Sequence, residues 1–117
     1  MAIILAIEDN PLVLCGMTML LESWGHDVIG VASSQEALDR LRTSPTPDVI
    51  ISDYRLNDGG TGIDAVHEII RMAGHEVPAM IVTGENVLAE VECWGLPVLR
   101  KPISPEGLRR ELTAAIG

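Results

Sequence analysis

Five short apolar runs, each closed by polar or charged residues and most followed by helical periodicity, constrain this chain more than any other feature. Ile3–Ile7 stops at Glu8-Asp9-Asn10, and Val28–Ala32 leads to Ser33. Val49–Ser52 ends at Asp53, Ala79–Val82 at Thr83-Gly84, and Pro97–Leu99 at Arg100-Lys101-Pro102. Runs rich in Ile and Val with no polar alternation fit strands buried on both faces, which occur in parallel sheets covered by crossover helices. Strands alternating with helices therefore predict an α/β fold, a doubly wound five-stranded parallel sheet.

The helical stretches carry their own punctuation. Asn10 is placed to cap a helix that begins at Pro11, with Val13, Met17, Leu20, Leu21 and Trp24 on its apolar stripe and Gly25 at its end. Ser33 and Glu36 have the spacing of a capping box, and the helix they open is expected to bury Ala37, Leu38 and Leu41 before Ser44-Pro45-Thr46-Pro47 breaks it. Ile63, Val66, Ile69, Ile70 and Ala73 mark a third helix, and a short one is expected from about Asn86 to Trp94. Ser104-Pro105 opens the last, whose apolar side is read as Leu108, Leu112, Ala115 and Ile116.

Composition excludes several classes. The chain has 117 residues, which fits one domain spanning 1–117. A net charge of −9 gives no electrostatic reason to bind nucleic acid or an anionic membrane. No apolar run is long enough to cross a bilayer, and the N-terminus lacks the basic flank of a secretion signal. Cys15 and Cys93 form no C-x-x-C pair and are read as buried or half-buried thiols, in keeping with a cytoplasmic setting. His26, His67 and His75 are expected away from the functional edge, and Trp24 and Trp94 are read as packing residues.

Right-handed crossovers place the C-terminal ends of all parallel strands on one edge of the sheet. Glu8, Asp9, Asp53, Thr83 and Lys101 all fall at such ends, and so at the edge where α/β folds bind ligands. Carboxylates gathered there repel one another without a cation, and an all-oxygen set suits a hard divalent ion such as Mg²⁺ or Mn²⁺. Lys101 adds a fixed positive charge and Thr83 a hydroxyl. A carboxylate, a cation, an ammonium and a hydroxyl together can cradle a phosphoryl group in transfer, with Asp53 as the nucleophile that forms an acyl phosphate.

With Glu8-Asp9, Asp53, Thr83-Gly84 and Lys101-Pro102 in those places, the chain resembles the receiver domain of response regulators in two-component systems over essentially its whole length. Asp53-Tyr54-Arg55-Leu56 with Thr61-Gly62, and the run Gly95 to Pro102, look most like receivers of hybrid sensor histidine kinases. The resemblance implies a flavodoxin-like (βα)5 fold with strand order 2-1-3-4-5. It implies that Asp53 accepts phosphate from the phosphohistidine of a sensor histidine kinase or phosphotransfer protein. Asp9, Asp53 and the main-chain carbonyl of Arg55 would ligate Mg²⁺, with Glu8 acting directly or through water. Lys101 would pair with Asp53 and then with the phosphoryl group, Thr83 would swing toward it, and Gly84 would leave room for it. A cis bond before Pro102 is part of the same pattern. The Arg55 side chain is expected to be exposed.

Two departures stand out. The family usually carries Tyr or Phe three residues before the Lys, where this chain has Val98, and the segment from Thr83 to Lys101 is short for the family. Other readings are an aspartyl-nucleophile phosphatase, a degenerate receiver that only binds, and a flavin module. The phosphatase pattern of Asp-x-Asp after the first strand is replaced by Glu8-Asp9-Asn10, and the same loop lacks the Ser/Thr/Gly run that holds a flavin phosphate.

Overall fold

The computed structural model describes residues 2–56, 59–84 and 95–116. Strands β1 (Ile3–Ile7), β2 (Asp27–Val31), β3 (Val49–Asp53), β4 (Ala79–Thr83) and β5 (Val98–Arg100) form one sheet. Its order is β2-β1-β3-β4-β5, and every pairing is parallel. Helices α1 (Pro11–Ser23), α2 (Ser34–Leu41), α3 (Gly62–Ala73) and α4 (Pro105–Ile116) connect or follow the strands. This is the doubly wound, flavodoxin-like arrangement anticipated from the strand runs. The short helix expected from Asn86 to Trp94, and Cys93 and Trp94 within it, lie outside the described residues.

The sheet separates two cores. On one side Leu5, Ile7, Ile50 and Ile81 pack with Ile63, Val66 and Ile69 of α3. On the other, Ile4, Ala6, Ile51, Met80 and Val82 pack with Met17 and Leu21 of α1 and with Leu108 and Leu112 of α4. Alternate residues of one strand thus serve opposite layers, which explains why the strand runs show no polar alternation. Full burial of each such aliphatic side chain contributes roughly 1.5–3 kcal/mol.

The caps fall where local chemistry puts them. Asn10 Oδ1 accepts from the N–H groups of Leu12 and Val13, satisfying donors that the first helical turn leaves open. Ser33 Oγ accepts from Glu36 N, while Glu36 Oε2 accepts from Ala32 N, so the reciprocal bond reaches one residue upstream of the expected capping box. Gly25 at φ 92° and Gly74 at φ 80° follow α1 and α3 in the left-handed region.

Three details correct the sequence reading. β2 runs one residue earlier than Val28–Ala32, because Asp27 enters the ladder opposite Ile3. Cys15 is exposed: α1 is apolar nearly all round, so its periodicity does not single out the inward face, which Met17 and Leu21 occupy. Ile116 is 43% exposed at the end of α4, where Leu108 and Leu112 already fill the contact with the sheet.

Candidate phosphoacceptor site

Each polar residue singled out above leaves the sheet at its C-terminal edge. Glu8 and Asp9 follow β1, Asp53 is the last residue of β3, Thr83 the last of β4, and Lys101 follows β5. Ile7 pairs with Ser52, Asp53 with Val82, and Thr83 with Arg100, so the strand ends are level across the sheet. Lys101 is tied to its neighbour by its own N–H, which donates to the Thr83 carbonyl at 2.9 Å. The Lys101–Pro102 bond is cis.

Carboxylate oxygens of Glu8, Asp9 and Asp53 lie within 4.8 Å of one another. Glu8 is only 1% exposed. Its Oε1 accepts from Asn10 N at 3.1 Å, and its Oε2 is met by Lys101 Nζ at 3.1 Å. That ammonium also stands 3.4 Å from Asp53 Oδ1. Asp53 Oδ1 accepts in addition from the Tyr54 N–H at 3.0 Å.

Electrostatics follow from this crowding. Burial raises the Asp53 pKa above its ordinary value, and the charges of Glu8 and Asp9 act in the same direction against the opposing pull of Lys101. Burial alone would lower Lys101, yet its contacts with Glu8 and Asp53 outweigh that and hold it above the usual lysine value. One ammonium therefore faces more negative charge than it neutralises.

The structure distributes the remaining residues plainly. Thr83 is buried at the same edge. Arg55 is exposed, as expected, with its guanidinium 5.5 Å from the Tyr54 ring centroid, and it forms an isolated bridge with Thr61. Val98 is half-buried against the α3-side core. His26 lies at the opposite end of the sheet, where its Nδ1 accepts from Ala2 N, and His75 Nδ1 contacts the Glu76 carbonyl. Trp24 packs half-buried among the α1-side core residues, beneath the Arg109 guanidinium. Sequence reasoning passes over Ser52 as a strand residue, yet it is fully buried and its Oγ donates to the Asp53 carbonyl at 3.0 Å. The available signal was a lone hydroxyl in an otherwise Val and Ile run.

A family model described as the response regulator receiver domain matches residues 4–113. The chain belongs to the response regulator receiver family. Among its relatives, the phyllosphere-induced regulator PhyR of Methylorubrum extorquens is 34% identical over 116 residues, covering 97% of this receiver and 43% of PhyR. Protein PilH of Pseudomonas aeruginosa is 27% identical over 122 residues, covering 99% of this receiver and 98% of PilH. A solved receiver domain protein from Clostridium thermocellum superposes with a TM-score of 0.86 at 30% identity, covering 99% of this chain and 94% of that one. PhyR from Brucella abortus does so with 0.84 at 29% identity, covering 98% and 47%. This receiver thus spans less than half of PhyR and nearly all of PilH. It is a two-component signalling domain.

The donor set of this receiver fits a hard divalent cation. Among the described residues three carboxylates converge with one ammonium, and the side-chain ligands they offer are oxygens, the chemistry that Mg²⁺ and Mn²⁺ prefer. No helix among the described residues is long and apolar enough to cross a membrane.

Proposed function

We propose that this receiver accepts a phosphoryl group on Asp53, drawn from the phosphohistidine of a sensor histidine kinase or phosphotransfer protein, and thereby changes its affinity for a protein partner. The observation that carries this reading is the position of the Asp53 carboxylate, within 4.8 Å of Glu8 and Asp9 oxygens and 3.4 Å from an ammonium, at the open edge of a parallel sheet.

The chemistry follows from the residues. An Asp53 carboxylate oxygen attacks phosphorus, an acyl–phosphate bond forms, and the bond to the donor nitrogen breaks as the proton-bearing imidazole leaves. Asp9, Asp53 and the Arg55 carbonyl are the residues to hold Mg²⁺ or Mn²⁺, with Glu8 beside them. When bound, that ion supplies charge neutralisation for the phosphoryl oxygens. Lys101 is anchored close enough to turn from the carboxylates to a phosphoryl oxygen, and Thr83 offers a hydroxyl from the neighbouring strand. Positioning does the rest, since phosphoryl transfer asks little covalent work of the protein. The domain catalyses its own phosphorylation and dephosphorylation instead of turning over a separate substrate. A cytoplasmic location and a role without direct nucleic-acid contact agree with the net charge of −9.

The test is intact-mass analysis after incubation with acetyl phosphate and Mg²⁺, with Asp53→Asn alongside. A single phosphoryl adduct that needs Mg²⁺ and is absent in the variant is expected. A wild-type protein left unmodified by acetyl phosphate and phosphoramidate is either a receiver that only binds or one that demands its phosphohistidine donor, and failure with a phosphorylated histidine phosphotransfer protein as well would sink the reading.

A further inference from the structure

The peptide that follows Asp53 is fixed from three sides. The Asp53 carbonyl accepts from Ser52 Oγ at 3.0 Å. The next N–H, that of Tyr54, points to both the Val82 carbonyl at 2.9 Å and Asp53 Oδ1 at 3.0 Å. The Tyr54 carbonyl then accepts from Gly62 N at 2.7 Å. Arg55, whose carbonyl is the main-chain metal ligand of the proposed function, is the next residue along and bridges to Thr61.

Gly62, the first residue of α3, lies directly against this peptide. A Cβ there would overlap the Asp53 carbonyl oxygen, reach Ser52 Oγ at 2.8 Å, and press on Ile81 Cδ1 at 3.1 Å. The first of these is backbone and cannot swing away. The second belongs to a fully buried side chain. The third belongs to a fully buried strand residue of the α3-side core. The open space at Gly62 is therefore filled by the main chain of the residue that carries the reactive carboxylate.

We propose that Gly62, with Ser52, is a positioning residue for phosphoryl transfer. The missing Cβ and the Ser52 hydroxyl together set the plane of the Asp53–Tyr54 peptide. That plane aims the Tyr54 N–H at Asp53 Oδ1, which orients the carboxylate. Through the bond from Gly62 N to the Tyr54 carbonyl, the same contact sets the course of the chain into Arg55. Neither residue touches the phosphoryl group or the ion; both act through the backbone between them. The proposal rests on the Asp53 reading given above. Shifting an outer partner of a metal site typically costs about 10–100-fold in affinity or activity, and small misplacements of reacting groups cost as much.

The experiment compares wild type, Gly62→Ala, Ser52→Ala and Val49→Ala. Val49 is fully buried against the α1-side core, away from this peptide, and its truncation supplies a control for lost stability alone. Binding of Mn²⁺ alone is read by electron paramagnetic resonance of the free ion, and phosphorylation by acetyl phosphate is read by intact mass. Gly62→Ala is expected to weaken Mn²⁺ about tenfold or more and to slow adduct formation at saturating metal, while Val49→Ala changes neither beyond about twofold. Ser52→Ala adds no atom and is expected to weaken Mn²⁺ by about threefold, a loss smaller than that range for removed partners because the peptide keeps its other bonds. It decides the question alone if Gly62→Ala does not fold. Wild-type Mn²⁺ affinity in Ser52→Ala, or equal losses in Gly62→Ala and Val49→Ala, would overturn the proposal. A wild-type protein that binds Mn²⁺ but takes up no phosphoryl group counts against the Asp53 reading instead, and leaves the metal-affinity comparison intact.

Discussion

Lys101 stands nearer to Glu8 than to Asp53, at 3.1 Å against 3.4 Å, so the ammonium is shared and its closer partner is not the proposed phosphoacceptor. Glu8 is buried and fixed by Asn10 N, whereas Asp53 is the more exposed of the two carboxylates. Turning Lys101 toward a phosphoryl group on Asp53 therefore leaves Glu8 with less compensation unless a cation remains beside it.

Replacing Lys101 with Met tests that coupling. It strands the buried Glu8 charge, and because Lys101 itself is partly exposed the expected loss is about 2 kcal/mol, below the roughly 3–5 kcal/mol of a fully buried pair. Millimolar Mg²⁺ should recover part of that stability, seen as a larger metal-induced rise in Tm than wild type shows. Adduct formation with acetyl phosphate should fall by about 100-fold, as when one preorganised charge-stabilising donor is removed.

Asp53→Asn should stabilise the metal-free protein at neutral pH. Burial, Glu8 and Asp9 raise the Asp53 pKa from its ordinary 3.8, so the folded state holds this proton to higher pH than the unfolded chain. Stability is then present below the ordinary value and is lost as pH rises through the folded-state value. Asn carries no such penalty, and a gain in stability is expected near pH 7. Urea unfolding across a pH series should show the gap closing toward acid. A constant gap would reject the account.

Mg²⁺ should raise the Tm of wild type in a concentration-dependent way, with about 2.7 kcal/mol of stabilisation at a hundredfold excess over its Kd. Asp9→Asn should lose most of that rise and Asp53→Asn should weaken it. EDTA should return wild type to its starting Tm. Differential scanning fluorimetry reads all three.

Asn10→Ala should lower stability by about 1 kcal/mol, the ordinary cost of a lost N-cap. Its side chain bonds the helix N–H groups of Leu12 and Val13 and is not among the converging carboxylates. Mg²⁺ affinity should therefore change little, and a loss comparable to that of Asp9→Asn would make Asn10 part of the metal site.

The sheet was legible because its strands advertise themselves. Ile3–Ile7 is read to the residue, since a two-sided apolar run ends where charge begins. The site's side chains were legible for a related reason: at the level ends of parallel strands, position in sequence becomes position in space. Ser52 and Gly62 were harder. A hydroxyl in a strand and a glycine at a helix start are common, and their meaning lies in an overlap between backbones that no periodicity records. Cys15 failed for the opposite reason. In α1 nearly every position is apolar, so hydrophobicity stops discriminating inside from outside.

The level strand ends have a further consequence. β1, β3, β4 and β5 are consecutive in the sheet, and each contributes part of the site. Backbone hydrogen bonding spaces neighbouring strands at about 4.8 Å. The sheet therefore works as a ruler whose graduations are set by peptide geometry. Away from the residues at the sheet edge and from Gly62, recomposing the chain between two strands would alter what the domain shows to its partners while leaving the strand spacing beneath its reactive groups unchanged. The chemistry and the surface can be edited separately.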